Sequence, residues 1–203
     1  MNTEVILASN NAGKLRELRG LLAELGLDLI SQGELGVSAV AETGSTFVDN
    51  ALLKARHAAR ESGRAALADD SGLEVDWLQG APGVHSARFA GEGADDARNN
   101  QKLLELLRDV TAAQRGARFR CVLVYLESAA DPAPLICEGV WEGRILERPH
   151  GAHGFGYDPL FLIPELGRTA AELTAAEKNA LSHRGRALRA LLPKLRARIA
   201  AQC

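Results

Sequence analysis

The stretch AALADDSGLEVD, residues 65–76, decides the fold at the centre of the chain. Its apolar start predicts a buried strand, and two adjacent carboxylates, Asp69 and Asp70, stand where we expect that strand to end. Neighbouring carboxylates repel each other and are costly to bury unless a cation or several donors compensate. Mg²⁺ does this readily because it prefers oxygen ligands. The alternative is an exposed acidic turn in which Asp70 and Ser71 cap the backbone, and the pair alone favours neither.

Strands and helices alternate on both sides of this stretch. Residues 4–8 (EVILA) predict a buried strand, and the leucines after them recur at helical spacing up to Gly26. A second helix is predicted from its N-cap Thr46 to Gly63, followed by the strand of RAALA. The rest of the chain predicts a helix at 95–108, strands at 117–127 and 134–146 paired as a hairpin, an irregular loop at 148–159, and a last helix from the capping box of Thr174 and Glu177 that Pro193 bends or breaks. This order predicts an α/β fold with a mixed sheet, whose ligands gather beyond strand ends, after EVILA and after RAALA.

Composition excludes several classes of protein. The 203 residues, 46% of them hydrophobic, are enough for one sizeable core and predict a single domain, 1–203. A formal net charge of −2 gives no general reason to bind nucleic acid or an anionic membrane. Three widely spaced cysteines fit neither a disulfide framework nor a zinc site, which favours a reducing cytosol. We see no signal peptide and no apolar run that could span a bilayer, so we expect a soluble cytoplasmic protein.

The segment SNNAGK, residues 9–14, resembles an anion site. Free backbone N–H groups at a helix start attract phosphate, and Lys14 adds a charge there. It is not a Walker A loop, because Ala8 replaces the first glycine and Leu15 follows the lysine. Taken alone, the segment favours an ordinary turn with a surface lysine.

Three further segments are ambiguous when taken singly. Glu42 precedes the second helix, where a carboxylate either favours the helix start or completes a metal site with the aspartates. GFGYDP, residues 154–159, offers glycines for close approach and aromatic rings for a base, but such turns more often plug a core. EKNALSHRGRA, residues 177–187, is basic, which is usually a solvated helix face.

Six motifs in one order nevertheless resemble a known family. They are SNNAGKLREL, ETGSTFVDNALLKA, ADDSGLEVD, GAPGVHSARFAG, GFGYDPLF and TAAELTAAEKNALSHRGRAL. In this order, and nearly end to end, they resemble the inosine/xanthosine triphosphate pyrophosphatase family, which hydrolyses non-canonical purine nucleoside triphosphates. The joint match is far more specific than any one motif.

The resemblance implies a fold, a reaction and a set of site residues. The fold is a long curved mixed sheet with flanking helices, forming two lobes around a central cleft. The reaction is Mg²⁺-dependent hydrolysis of ITP, dITP or XTP to the monophosphate and pyrophosphate, which removes these nucleotides from the nucleotide pool. The implied enzyme is a homodimer. Asp70 is implied as the catalytic base, with Asp70, Asp69 and Glu42 around Mg²⁺. The implied substrate-binding residues are Ser9, Asn10, Asn11, Ala12, Gly13 and Lys14 for the triphosphate, and Ser71, Phe155, Gly156, Tyr157, Asp158, Lys178, His183 and Arg184 for the rest of the substrate.

Three other functions compete with this one. A pyrophosphatase for altered pyrimidine or other nucleotides would share the fold and differ in its substrate profile. A nucleotide sensor without turnover would bind but not hydrolyse, although Lys14, Glu42, Asp69 and Asp70 argue against it. A nucleic-acid-binding module would use the basic C-terminal segment 184–198, but the chain has few aromatic residues for stacking.

Overall fold

A computed structural model describes residues 3–22 and 27–200 of the chain. The expected end of the first helix near Gly26 lies outside these residues, and so does Cys203. The described helices are α1 (Ala12–Leu22), α2 (Phe47–Ser62), α3 (Asp96–Leu106), α4 (Ala175–Leu181) and α5 (His183–Ala200). The described strands are β1 (Thr3–Leu7), β2 (Leu27–Ser31), β3 (Ala65–Val75), β4 (Gly116–Leu126), β5 (Leu135–Ile145), β6 (Phe161–Ile163) and β7 (Arg168–Thr169).

Within the described residues, these strands form one sheet in the order β2-β1-β3-β4-β5-β6-β7. Strand β1 runs parallel to both its neighbours, with Val5 opposite Leu29 on one side and Ala65 on the other. Strand β6 runs antiparallel to β5 and β7. The sheet is therefore mixed, as predicted, and β4 and β5 are neighbours, as a hairpin requires.

Helix α2 has the ends that its sequence predicts. The Thr46 side chain accepts a hydrogen bond from the Asp49 N–H, which caps the first turn. At the other end Gly63 adopts a left-handed conformation, with φ of 66°, and its N–H donates to the carbonyl of Ala59. Local chemistry is enough to fix this helix.

Strand β3 does not end at the aspartates, contrary to the expectation from RAALA. It continues through Asp69 and Asp70 as far as Val75. The physical reason is that Leu73 and Val75 are fully buried, so the second half of the strand stays in the sheet to cover a core. The expected loop after RAALA is therefore absent, and both carboxylates belong to a strand.

The predicted last helix is two helices. Its capping box of Thr174 and Glu177 is confirmed, but α4 ends at Ser182, whose backbone is extended with ψ of 161°. The Ser182 hydroxyl accepts a hydrogen bond from the Gly185 N–H and so starts α5. Helix α5 then continues through Pro193, where the sequence predicts a bend or a break, and the helix does not break there. Buried Leu191 and Leu195, on either side of the proline, hold α5 against the core.

The chain divides into two compact units, each built from separate segments. The first unit comprises Met1–Asp70, Cys121–Gly139 and Arg186–Cys203, and its core includes Leu7, Leu67 and Leu123 with Leu18 of α1 and Leu191 of α5. The second comprises Ser71–Arg120 and Val140–Gly185, with a core around Leu103, Phe119, Trp141 and Phe161. No helix in the described part of the chain has the length and apolar character needed to cross a membrane.

Candidate active site

The loop after β1 leads into the exposed start of α1. Asn11 precedes the helix, and its Oδ1 accepts the Lys14 backbone N–H at 3.0 Å, while the Ser9 hydroxyl accepts the Asn11 N–H. The N–H groups of Ala12 and Gly13 open the helix, where no carbonyl of a preceding turn can bond them. The first turn contains no acidic residue. This helix start can therefore receive an anion.

Asp69 lies beneath this loop and binds Lys14. Its side chain is fully buried, and its Oδ1 lies 2.6 Å from Nζ of Lys14. The Cys121 thiol lies 3.3 Å from the other oxygen of the carboxylate and donates to it. One carboxylate oxygen of Asp69 therefore binds Lys14, and the other accepts from Cys121.

Asp70 faces Lys54, a residue to which the sequence analysis assigns no role. Successive residues of a strand point to opposite faces, which separates the side chains of Asp69 and Asp70. Nζ of Lys54 lies 2.5 Å from Oδ1 of Asp70 and 2.9 Å from Oε1 of Glu42. It also donates to the backbone carbonyl of Asp69 at 2.9 Å. Lys54, on α2, thus forms ion pairs with both Glu42 and Asp70.

A close approach of the backbone at Gly44 positions Glu42. The Gly44 N–H donates to Oδ1 of Asn50, which is fully buried in α2. A Cβ on Gly44 would lie 2.6 Å from Cβ of Asp49 and 2.7 Å from Oδ1 of Asn50, so only glycine fits. The segment carrying Glu42 is therefore held tightly against the start of α2.

Burial and charge shift the protonation of this pair. Burial raises the pKa of the Asp70 carboxyl, and the positive charges of Lys54 and Lys14 oppose the shift without cancelling it. Burial by itself lowers the pKa of Lys54, but the negative charges of Asp70 and Glu42 outweigh it and the pKa is raised. Lys54 stays protonated, and Asp70 is a stronger base than an exposed aspartate.

Two of the three acidic side chains described here, those of Asp70 and Glu42, fit a divalent cation. Within residues 3–22 and 27–200, no three His, Cys, Asp or Glu side chains are grouped as a metal site. Oδ2 of Asp70, however, is buried and has no hydrogen-bond partner, and Glu42 is partly exposed beside the same lysine. Mg²⁺ often takes only one or two carboxylates and completes its shell with water and phosphate. Asp70 and Glu42 fit such an ion, whereas the oxygens of Asp69 already bind Lys14 and Cys121.

In the second unit, Lys178 and Phe155 meet at Asp158. Nζ of Lys178 lies 2.5 Å from Oδ2 of Asp158, and both side chains are buried. The Phe155 N–H donates to the same oxygen at 2.9 Å. The ammonium group also lies 4.6 Å from the centre of the half-buried Phe155 ring. One face of this ring therefore carries a fixed positive charge.

His183 and Arg184 open helix α5 in the same unit. The Arg184 guanidinium donates to the Ser71 hydroxyl at 3.0 Å and lies 5.8 Å from the Phe155 ring centre. The His183 ring stacks on Phe119, with 4.8 Å between the ring centres. Because Ser182 caps α5, the two residues after it are fixed at the first turn of a helix.

Tyr157 is the predicted site residue that points elsewhere. Its side chain belongs to the core of the second unit, and its hydroxyl donates to the backbone carbonyl of Ser86 at 2.9 Å. Burial, together with the charge of Asp96, raises the pKa of Tyr157 well above its ordinary value. The side chain anchors its loop, as an aromatic residue that plugs a core does.

Comparison with known proteins identifies the family of this chain. A model of the Ham1 family matches residues 5–194. The chain belongs to the Ham1 family. It is 60% identical over 193 residues to a protein named dITP/XTP pyrophosphatase from Escherichia coli O157:H7, covering 95% of this chain and 98% of that protein. A protein of the same name from Shigella flexneri is also 60% identical, with the same coverage. The resemblance seen in the six motifs is confirmed.

Solved structures of Ham1 proteins have the same fold. The HAM1 protein from Coxiella burnetii matches with a TM-score of 0.89 and 53% identity, over 96% of this chain and 99% of that one. The Staphylococcus aureus Ham1 protein matches with a TM-score of 0.84 and 38% identity, over 97% and 100%. The expected α/β class with a mixed sheet is thereby confirmed.

Sequence reasoning missed Lys54 and Cys121 in this Ham1 protein. Lys54 had a visible signal, since Asn50 and Lys54 interrupt the small apolar residues of α2 at a spacing of four. Cys121 had none, because a lone cysteine in an apolar strand looks like any core residue.

Proposed function

We propose that the chain is a pyrophosphatase for non-canonical purine nucleoside triphosphates such as dITP, XTP and ITP, which it cleaves to the monophosphate and pyrophosphate. Two relatives that are 60% identical over nearly their whole length carry the name dITP/XTP pyrophosphatase. Removal of these nucleotides from the pool would prevent their incorporation into DNA and RNA. The observation that carries the proposal is Asp70, buried and with one carboxylate oxygen free of hydrogen bonds.

Asp70 has the properties of a general base in this reaction. Lys54 holds Oδ1, which leaves Oδ2 for a water molecule. Burial raises the pKa of Asp70, which makes its carboxylate a stronger base than that of an exposed aspartate. In the proposed reaction Asp70 orients this water and takes its proton as the water attacks the α-phosphorus and pyrophosphate leaves.

The start of α1 is the proposed phosphate site. The N–H groups of the first turn and Nζ of Lys14 are positive groups that stabilise the leaving pyrophosphate. Asp70 and Glu42 would hold Mg²⁺, and the chemistry that this ion supplies when bound is stabilisation of negative charge on phosphate oxygens. Asp69 keeps Lys14 in position, which is a role we prefer to direct metal binding.

The residues around Phe155 are the proposed base site. A purine would stack on the ring, and Lys178, His183 and Arg184 are the proposed donors to its edge. Hypoxanthine and xanthine present a 6-oxo acceptor to such donors, whereas adenine presents an amino group. A buried donor left unpaired costs about 1–3 kcal/mol, or roughly tenfold to a hundredfold in selectivity.

The test is pyrophosphate release from dITP, XTP, ITP, ATP and GTP, each with and without Mg²⁺. The variant Asp70→Asn keeps the shape of the side chain and removes its basicity. Its matched control is Asp28→Asn, the same change at an exposed position on β2. We expect metal-dependent turnover of dITP, XTP and ITP, weak turnover of ATP, and loss of turnover in Asp70→Asn alone. GTP also carries a 6-oxo group, so its turnover reports whether the 2-position of the base is recognised as well.

Other outcomes assign the chain to a different class. Turnover that survives in Asp70→Asn would remove Asp70 from the reaction. Binding of purine nucleotides without turnover would favour a sensor, and turnover confined to altered pyrimidine nucleotides would favour the neighbouring enzyme class.

The homodimer and the cytoplasmic location implied by the family resemblance stay predictions. Light scattering of the purified chain would report a mass of twice 21.6 kDa if the dimer forms. The proposed reaction uses residues that are all present in one chain.

A further inference from the structure

Both backbone polar groups of Gly156 are held by side chains of helix α3. The Gly156 N–H donates to Oδ2 of Asp96 at 2.6 Å. The Gly156 carbonyl accepts a hydrogen bond from Nδ2 of Asn100 at 2.9 Å. Asp96 and Asn100 are four residues apart and therefore lie on one face of the helix. Together they form what we call the Gly156 clamp.

Gly156 needs such a clamp more than another residue would. Its φ is +62°, in the left-handed region, and nothing lies within 4 Å of the position of a Cβ. A glycine with open space on its side-chain side has many backbone conformations available to it, and it loses much entropy when one of them is fixed. The two hydrogen bonds select one of these conformations.

The conformation of Gly156 determines where the Phe155 ring lies. Phe155 is joined to Gly156 through a single peptide bond, and its ring is the one that Lys178 and Arg184 approach. On the other side Tyr157 is fixed in the core by its hydrogen bond to Ser86. The Phe155 N–H is held by Asp158, but its ring is only half-buried, so a rotation at Gly156 would displace this ring more easily than the buried side chain of Tyr157.

Helix α3 is itself fixed firmly enough to act as a support. Asn99 is buried, and its amide group accepts from the Ala90 N–H at 2.8 Å and donates to the Ala87 carbonyl at 3.1 Å. Leu103 lies fully buried in the core of the same unit. The face that carries the clamp is thus anchored at both ends.

We propose that Asp96 and Asn100 are positioning residues that set the affinity for the purine base by fixing Gly156 and, through it, the Phe155 ring. This inference rests on the proposed function of Phe155 as the surface for the base. The clamp belongs to the second unit, whereas Asp70 and Lys14 belong to the first, so it acts on binding of the base and leaves the chemical step unchanged.

The test compares amide-to-carboxylate changes at neighbouring positions. Asn100→Asp is close to isosteric and replaces the donor facing the Gly156 carbonyl with an acceptor. Gln101→Glu makes the same change one residue further along, on the exposed side of α3, where Gln101 contacts Glu105. Asp96→Ala removes the other half of the clamp, and Asp96→Asn is the conservative variant, because its amide oxygen can still accept from Gly156.

We expect KM for dITP and XTP to rise about three- to tenfold in Asn100→Asp and Asp96→Ala, with kcat within about twofold of the wild-type value. Inhibition by pyrophosphate, which carries no base, should keep its inhibition constant. Gln101→Glu should behave as wild type, and Asp96→Asn should recover most of the affinity. Equal losses in kcat and in pyrophosphate binding would indicate a general structural defect and overturn the proposal.

Hydrogen exchange of the Gly156 amide, measured without nucleotide, separates the two proposals. Exchange should accelerate in Asp96→Ala relative to wild type, because the acceptor of this N–H is lost. Unchanged exchange would overturn the clamp, and faster exchange with unchanged KM would overturn its role in base binding. If the wild-type chain hydrolyses neither dITP nor XTP, the proposed function fails, and with it the role in base binding, whereas the exchange result still decides whether the clamp holds.

Discussion

Nζ of Lys54 lies 2.5 Å from Oδ1 of Asp70, and both side chains are largely buried, at 12% and 7% exposure. Removal of one partner of a buried ion pair leaves an uncompensated charge and typically costs about 3–5 kcal/mol. We therefore expect Lys54→Met to lower the free energy of unfolding by about this amount, near the lower end because the pair is not fully dry. Urea denaturation followed by circular dichroism measures this change.

The double variant Lys54→Met with Asp70→Leu controls this measurement. It removes both charges, so we expect it to be more stable than Lys54→Met alone. A Lys54→Met variant as stable as wild type would show that the pair adds nothing to folding.

The variant Gly44→Ala tests how Glu42 is positioned. The added Cβ would meet Cβ of Asp49 at 2.6 Å, and the segment would have to move away from α2. We expect a loss of about 1–3 kcal/mol in stability, as for other overpacked sites. We also expect a fall in turnover of dITP, because Glu42 moves away from Lys54. Unfolding and pyrophosphate release are measured on the same preparation.

Gly63→Ala separates these two effects. Gly63 ends the same helix, with φ of +66° and open space around a Cβ, so alanine there costs backbone strain of about 1–2 kcal/mol. It should lower stability while leaving turnover unchanged. Equal turnover in the two variants would remove Glu42 from the reaction.

Local chemistry made part of the fold predictable. The ends of α2 follow from Thr46 and Gly63, since a cap depends only on residues within one turn. The predicted end of β3 was wrong for the opposite reason. The aspartates resemble a turn, and the strand persists only because Leu73 and Val75 pack against residues far along the chain, such as Leu103.

The set of site residues stays a prediction, and the sequence does not predict how those residues are arranged. The motifs named Asp69 and Asp70 together, but alternation along β3 sends one side chain to Lys14 and the other to Lys54. The break at Ser182 was equally hidden, because this serine caps a helix only when its own backbone is extended. Spacing along a sequence does not show which way a side chain points.

Ser182→Ala tests the start of α5. The change removes the acceptor of the Gly185 N–H and should cost about 0.5–2 kcal/mol in the free energy of unfolding. The first turn holds His183 and Arg184, so KM for dITP should rise as well. Ser182→Gly should cost only a few tenths of a kcal/mol, because glycine is a tolerated cap. A Ser182→Ala variant as stable as the wild type would show that the hydroxyl does not cap the helix.

Acid stability should depend on Glu177. Its ion pair with Arg168 and its hydrogen bonds to Thr174 lower its pKa from 4.5 to about 2. Because the folded-state pKa is depressed, its contribution to stability is complete above pH 4.5 and is lost as the pH falls from 4.5 to about 2. Glu177→Gln cannot titrate, so its unfolding free energy should fall less steeply than that of wild type in this window. Parallel stability curves for wild type and Glu177→Gln would contradict the prediction. Arg168→Met should raise the Glu177 pKa towards 4.5, which an NMR titration of the Glu177 carboxyl carbon measures.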